Sequence, residues 1–398
     1  MPRYFLEVTY KGTNYSGFQI QDNADTPLDL TDIVFIDPVA TGFSSAQPGS
    51  TNDQFFGAYN DAESVATFIR TYTDTFKREA SPLYLMGESY GGIRGSLVAQ
   101  ILQLPLYLPL KGVIFVSPCL SSTITNFTED DNDVPFYTFF PTYVTTSWYQ
   151  GTAGAKYLKM NVDTAYEAAK AFAFGPYRDA LAMGNDLTSD QPLFHEIASE
   201  ISEFTGIPQA QIEKNNLRIR DVDYFGMALE SKNEIVGRFD TRYVGRKLTN
   251  QTGATANDPS DLQTGFPYVA GINAYLRNEL GFTTDLPYVD AASISNWPMN
   301  SDGSEFVATH NLSQAFADNP NLEVFVASGY YDLACPMGTV EYERTRLDPQ
   351  SNGKSRMAIH HYPSGHMIYI SPIAMHQMKS DLTGFYALST AGVPLASQ

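Results

Sequence analysis

Short apolar runs alternate with stretches whose apolar positions recur every three or four residues, and that alternation organises the first third of the chain. Residues 4–10 alternate as a strand, Lys11 to Gly17 supply a turn, and Phe18 to Gln21 complete a hairpin. Ile33 to Ile36 is an unbroken apolar run and reads as a buried strand. From Asp53 to Arg78 the residues Phe55, Tyr59, Ala62, Ala66, Ile69, Tyr72 and Phe76 keep helical spacing, which predicts a helix packed on a sheet. A strand ending at Met86, a helix from Ile93 to Leu104 and a strand at Val113 to Ser117 follow. Strands alternating with helices imply a parallel, doubly wound α/β sheet.

The pattern changes after Ser122. An acidic loop, Glu129 to Asp133, leads into the aromatic runs Phe136 to Phe140 and Tyr143 to Tyr149. Helical stretches are expected at 155–183, 190–204, 208–217 and 263–280, and sheet-like runs return only at Glu323 to Ser328 and Met357 to His361. The expected organisation is an N-terminal hairpin over 1–24, a sheet core built from 25–124 and 321–398, and a mainly helical cap inserted at 125–320.

Chemistry enters where the strand ending at Met86 runs into Gly87-Glu88-Ser89-Tyr90-Gly91. Gly-x-Ser-x-Gly between a strand and a helix is a nucleophile elbow, whose tight turn lifts the serine hydroxyl above the sheet. The Tyr90 N–H, one residue on, is the expected oxyanion donor. A serine needs a base. Asp332 lies just past the strand at Glu323 to Ser328, and His366 lies in the turn Tyr362-Pro-Ser-Gly-His366 after the strand at Met357 to His361. The order Ser, Asp, His is that of the α/β-hydrolases, so Ser89, Asp332 and His366 are the expected catalytic set. His360 and His361 are adjacent on a strand and point to opposite faces, so they cannot chelate one ion as a pair. His195, His310 and His376 have no clustered partners, and no metal or other cofactor is expected. The aromatics from Phe136 to Tyr149 read first as core and second as the lining of a substrate pocket.

The wording at these positions resembles the serine carboxypeptidases. That family writes Gly-Glu-Ser-Tyr-Gly or -Ala at its nucleophile, matched by Gly87 to Gly91. It writes Gly-x-x-Asp with a nearby cysteine, matched by Gly329, Asp332 and Cys335, and Gly-His-Met, matched by Gly365, His366 and Met367. Asp32 to Ser44 is similar to the family segment that ends in Gly-Phe-Ser. The resemblance runs over roughly residues 25–398 and implies an α/β-hydrolase fold, acyl transfer to water, and a substrate cleaved at its C-terminal peptide bond. It implies that Glu88, paired with a second carboxyl, helps hold the substrate's carboxylate. The family's Asn-Gly-Gly-Pro-Gly-like loop, which supplies half of the oxyanion hole, has no counterpart here. Met1 to about Asn23 instead resembles the opening of tRNA pseudouridine synthases, without their catalytic motif. The expectation is a hydrolase whose first strands are replaced by a foreign hairpin. Esters need no carboxylate clamp, so an esterase is the second reading, and an inert truncated fold the third.

A net charge of −19 would repel nucleic acid and argues against the RNA role that hairpin hints at. No apolar run approaches the roughly 18 residues of a spanning helix, so no membrane partner is expected. Met1-Pro-Arg-Tyr4 does not open a signal peptide, although the family resemblance implies export. Two cysteines, Cys119 and Cys335, make no disulfide framework, and Cys335 reads as a free thiol near the site. A peptide or small ester remains the expected partner.

Overall fold

The computed structural model describes residues 3–9, 16–128, 131–247, 258–292, 294, 296–300, 306–347 and 355–391. Strands β1 (Arg3–Thr9) and β2 (Ser16–Asp22) pair antiparallel as an isolated hairpin. Helix α1 (Ala58–Thr75), β3 (Tyr84–Glu88), α2 (Gly91–Gln103) and β4 (Gly112–Val116) follow. After the helical region come the short β5 (Glu234–Val236) and β6 (Val244–Arg246), then β7 (Glu323–Gly329) and β8 (Met357–Tyr362). The central sheet is parallel, in the order β3-β4-β7-β8.

Period-two alternation divides the strands between two cores. Val113, Phe115, Val324 and Val326 face the layer of α1, α2 and the helix Thr309–Asp318. Ile114, Val116, Phe325 and Ala327 face Ala374, Met378, Leu382 and Phe385 of the C-terminal helix Pro372–Ala391. Every residue of β4 and β7 is buried, as expected of central parallel strands covered on both faces. β3 is only partly buried and Met86 is 53% exposed, because β3 is an edge strand.

The helical region packs around α3 (Val134–Gln150), in which every residue from Pro135 to Ser147 is buried. The two aromatic runs are therefore one helix, with Pro141 in its interior. Phe139, Phe140 and Tyr143 are core, packed with Tyr177, Phe204 and Tyr224. Burying each such ring contributes about 1.5–3 kcal/mol. The pocket-lining alternative fails for these three side chains.

Three expectations need correction. Ile33 to Ile36 is not a strand: among the described residues no sheet partner pairs with it, and Phe35 is 62% exposed. The expected helix over 155–183 is broken near Gly175, whose φ/ψ of −119/−107 is non-helical and which Pro176 follows. Sheet structure also returns before Glu323, as the β5–β6 hairpin.

Candidate active site

β3 runs directly into the elbow. Ser89 has φ +56, a conformation a non-glycine residue adopts only where its surroundings enforce it. The enforcement is visible: the Ser89 N–H donates to the Val116 carbonyl at 3.0 Å, and its own carbonyl accepts from Gly92 at 2.8 Å and Cys119 at 3.0 Å. A Cβ on Gly87 would lie 2.5 Å from the Gly91 carbonyl oxygen, so the motif's first glycine is a steric requirement. The Tyr90 N–H makes no hydrogen bond to any described residue and lies at the start of α2, beside the serine. The Tyr90 ring is fixed by Trp297, which donates to its hydroxyl at 3.2 Å, and by Arg94, 5.1 Å from the ring centre. Arg94 is itself held by buried Asp61 at 2.6 Å.

Asp332 follows β7 and is fully buried. Its Oδ1 accepts from the N–H groups of Ala334 at 2.7 Å and Cys335 at 3.0 Å, which leaves Oδ2 for His366 Nδ1 at 2.9 Å. His366 follows β8 and is 3% exposed. Its carbonyl accepts from Ser117 Oγ at 2.8 Å, and its N–H donates to the Phe239 carbonyl at 2.6 Å. Burial works against the charged imidazole, but the Asp332 carboxylate outweighs it and raises the pKa above 6.5. Because Asp332 occupies Nδ1, Nε2 is the nitrogen left to meet a hydroxyl. Ser89 Oγ and His366 are not hydrogen-bonded in the structure, and such contacts commonly tighten only with substrate bound. Ser89, Asp332 and His366 all lie beyond the carboxyl ends of strands of one parallel sheet.

Glu88 accepts a hydrogen bond from the Tyr369 hydroxyl at 3.1 Å. Desolvation raises its pKa, with His366 and Tyr369 pulling the other way. Among the described residues no second carboxyl hydrogen-bonds to Glu88. Cys119 and Cys335 are both free, and Cys119 Sγ donates to the Ser121 carbonyl at 3.6 Å; the interaction between the two neighbouring thiols lowers the pKa of Cys119 and, with burial, raises that of Cys335. His360 stacks on Phe325 at 4.4 Å, while His361 turns to the opposite face and approaches Glu341 at 3.5 Å.

The sequence did not reveal the brace on the histidine loop. Between β5 and β6, Asp240 accepts from the Gly365 N–H at 3.2 Å and pairs with Arg242 at 2.6 Å. Arg242 also donates to the Pro363 carbonyl at 2.8 Å. The available signal was Arg238-Phe-Asp-Thr-Arg242, a charged turn between two short β-prone runs.

The parallel sheet, the strained serine and the buried His–Asp pair give the architecture of an α/β-hydrolase. A family model described as serine carboxypeptidase matches residues 13–150. Over that segment, about a third of its length, the chain is similar to the serine carboxypeptidases. Among solved structures, the chain is similar to Kex1(delta)p, a prohormone-processing carboxypeptidase from Saccharomyces cerevisiae, at 12% identity. The alignment covers 92% of this chain and 77% of that one with a TM-score of 0.51, a likeness of fold. The crystal structure of VinJ aligns at 11% identity over 88% of this chain and 79% of that one, but its TM-score of 0.34 is too low to bear on the fold. No curated protein matches the chain. Among the described residues no helix is long and apolar enough to cross a membrane, and no group of three His, Cys, Asp or Glu could hold a metal ion.

Proposed function

We propose that the chain is a serine hydrolase that cleaves C-terminal peptide bonds and esters through an acyl-enzyme. The observation that carries the reading is the strained Ser89 at the elbow, in a sheet that also presents His366 bonded to buried Asp332. Ser89 Oγ attacks the carbonyl carbon while His366 Nε2 takes its proton. The Tyr90 N–H stabilises the developing oxyanion. Asp332 holds the imidazolium, which returns the proton to the leaving amine or alcohol. Water then attacks the acyl group under the same base. Glu88, with its raised pKa, is suited to keep a proton and donate it to a substrate carboxylate. In this reading 25–124 and 321–398 form the catalytic core and 125–320 the cap, the substrate is a peptide or small ester, and no cofactor, metal, nucleic acid or membrane takes part.

A second reading, an esterase with little peptidase activity, is favoured by one observation: among the described residues no second carboxyl hydrogen-bonds to Glu88, and an ester has no carboxylate to hold. Comparing kcat/KM for a blocked dipeptide and a short-chain p-nitrophenyl ester separates the two. Turnover of both supports the first reading, ester alone the second, and neither the inert fold.

A further inference from the structure

One turn of the helical region, Arg238 to Arg242, bonds to both loops that carry the His366–Asp332 pair. On the acid loop it holds the residues on either side of Asp332. The Thr241 N–H donates to the Tyr331 carbonyl at 3.0 Å, and the Arg238 carbonyl accepts from the Leu333 N–H at 3.0 Å. On the histidine loop the Phe239 carbonyl takes the N–H of His366 itself, and Asp240 Oδ2 takes that of Gly365. Arg242 reaches the Pro363 carbonyl. The Phe239 ring lies against the imidazole, with 5.3 Å between ring centres.

The turn is itself held in one conformation. Asp240 is fully buried and grips Arg242 with both oxygens: Oδ1 accepts from Arg242 Nε at 2.9 Å and from its N–H at 3.0 Å, and Oδ2 accepts from Nη2 at 2.6 Å. A buried carboxylate is tolerated only with such a partner. The Arg238 and Phe239 N–H groups donate to Asp258 at 3.0 Å and Ser260 at 3.1 Å, at the start of the helix Pro259–Asn278. Thr241 is tied to α3 by the Thr146 hydroxyl and the Gln150 amide, each at 2.7 Å. A Cβ on Gly365 would lie 2.3 Å from the Phe239 carbonyl oxygen, so the histidine loop can meet the turn this closely only with glycine there.

We propose that Asp240 and Arg242 are positioning residues, which fix this turn and through it the spacing and alignment of His366 on Asp332. They touch no reacting atom. The Ala334 and Cys335 N–H groups orient Asp332 within its own loop, but the distance between the two loops needs an element bonded to both, and the turn is one. A misplacement of about 1 Å at a catalytic group can cost about 100-fold in rate. The kinetic consequence rests on the serine hydrolase reading proposed above, whereas the alignment of the pair can be measured without turnover.

The test is Asp240→Asn in the full chain. The amide keeps the shape, but its NH2 must face either Arg242 Nε and N–H or the Gly365 N–H and Arg242 Nη2, so donors meet donors on one side. Two quantities are read: kcat and KM for a short-chain p-nitrophenyl ester, and the far-downfield NMR signal of the His366 Nδ1 proton that Asp332 accepts. Near-UV circular dichroism checks the fold. The variant should lose about 10- to 100-fold in kcat with KM within about twofold, and the Nδ1 proton should shift or broaden. Arg242→Lys, which keeps the charge without the fork, should recover part of what Arg242→Gln loses. Arg178→Gln, in an exposed ion pair elsewhere on the helical region, should change neither quantity. Wild-type kcat in folded Asp240→Asn overturns the proposal. So does a kcat loss with the Nδ1 proton unmoved, which would make the turn a support of the fold alone. If the wild-type chain turns over no ester, the hydrolase reading fails and the proton decides: a shift in Asp240→Asn sustains the positioning role, and an unmoved signal overturns it. If Asp240→Asn does not fold, Arg242→Lys against wild type is judged by the same two quantities.

Discussion

Replacing Asp332 by Asn tests the proposed base through its tautomer. Asp332 Oδ1 already accepts from the Ala334 and Cys335 N–H groups at 2.7 and 3.0 Å. An amide must therefore keep its oxygen there and turn its NH2 toward His366 Nδ1, now held at 2.9 Å by a carboxylate oxygen. That NH2 donates, so Nδ1 must accept, and the ring proton moves to Nε2. A protonated Nε2 cannot take the Ser89 proton. The expected loss is about 10⁴-fold in kcat, near 5 kcal/mol of barrier, with KM little changed. The pH profile adds a second reading. Asp332 raises the His366 pKa against burial, so its removal should move the acidic limb of residual activity to lower pH. The assay is short-chain p-nitrophenyl ester hydrolysis from pH 4 to 9, with near-UV circular dichroism to show the fold intact. A folded variant that loses less than about tenfold, or whose acidic limb stays in place, would refute the reasoning.

Three further outcomes follow from the same geometry. His366→Ala should remove nearly all ester turnover while His361→Ala keeps most of it, because only His366 pairs with Asp332; steady-state kinetics of both variants check this, and the reverse ranking would move the base. Glu88→Gln should impair dipeptide hydrolysis more than ester hydrolysis, since the ester has no carboxylate to hold; equal losses in the two assays would give Glu88 a purely structural role. Glu343 is 3% exposed, neither carboxyl oxygen has a hydrogen-bond partner among the described residues, and burial raises its pKa well above 4.5. The folded state thus holds this proton longer than the unfolded chain, so stability is present below pH 4.5 and is lost as pH rises toward the folded-state value. Glu343→Met should remove that loss and stabilise the protein by about 1–3 kcal/mol in urea titrations at pH 8, and an unchanged or lower midpoint would contradict it.

What could be read in the chain depended on how local its cause was. The elbow was legible because its geometry comes from Gly87 and from a strand and helix adjacent in sequence. The strands at Val113, Glu323 and Met357 were legible as unbroken apolar runs, the mark of parallel strands covered on both faces. Ile33 to Ile36 carries the same signature and forms no strand, because a strand exists only with a neighbour to bond. The helix Val134–Gln150 read as two aromatic runs, since burial all round erases the amphipathic stripe. The Asp240–Arg242 brace and the Cys119–Cys335 contact join residues far apart in sequence, and no period or motif marks such meetings.

The central claim is that Ser89 is a nucleophile activated by His366. The direct measurement is covalent labelling by a fluorophosphonate probe, followed by peptide mass spectrometry to locate the adduct. The account predicts one adduct on Ser89, none in Ser89→Ala, and strongly slowed labelling in His366→Ala. A folded protein that never labels, or that labels equally fast without His366, would contradict it.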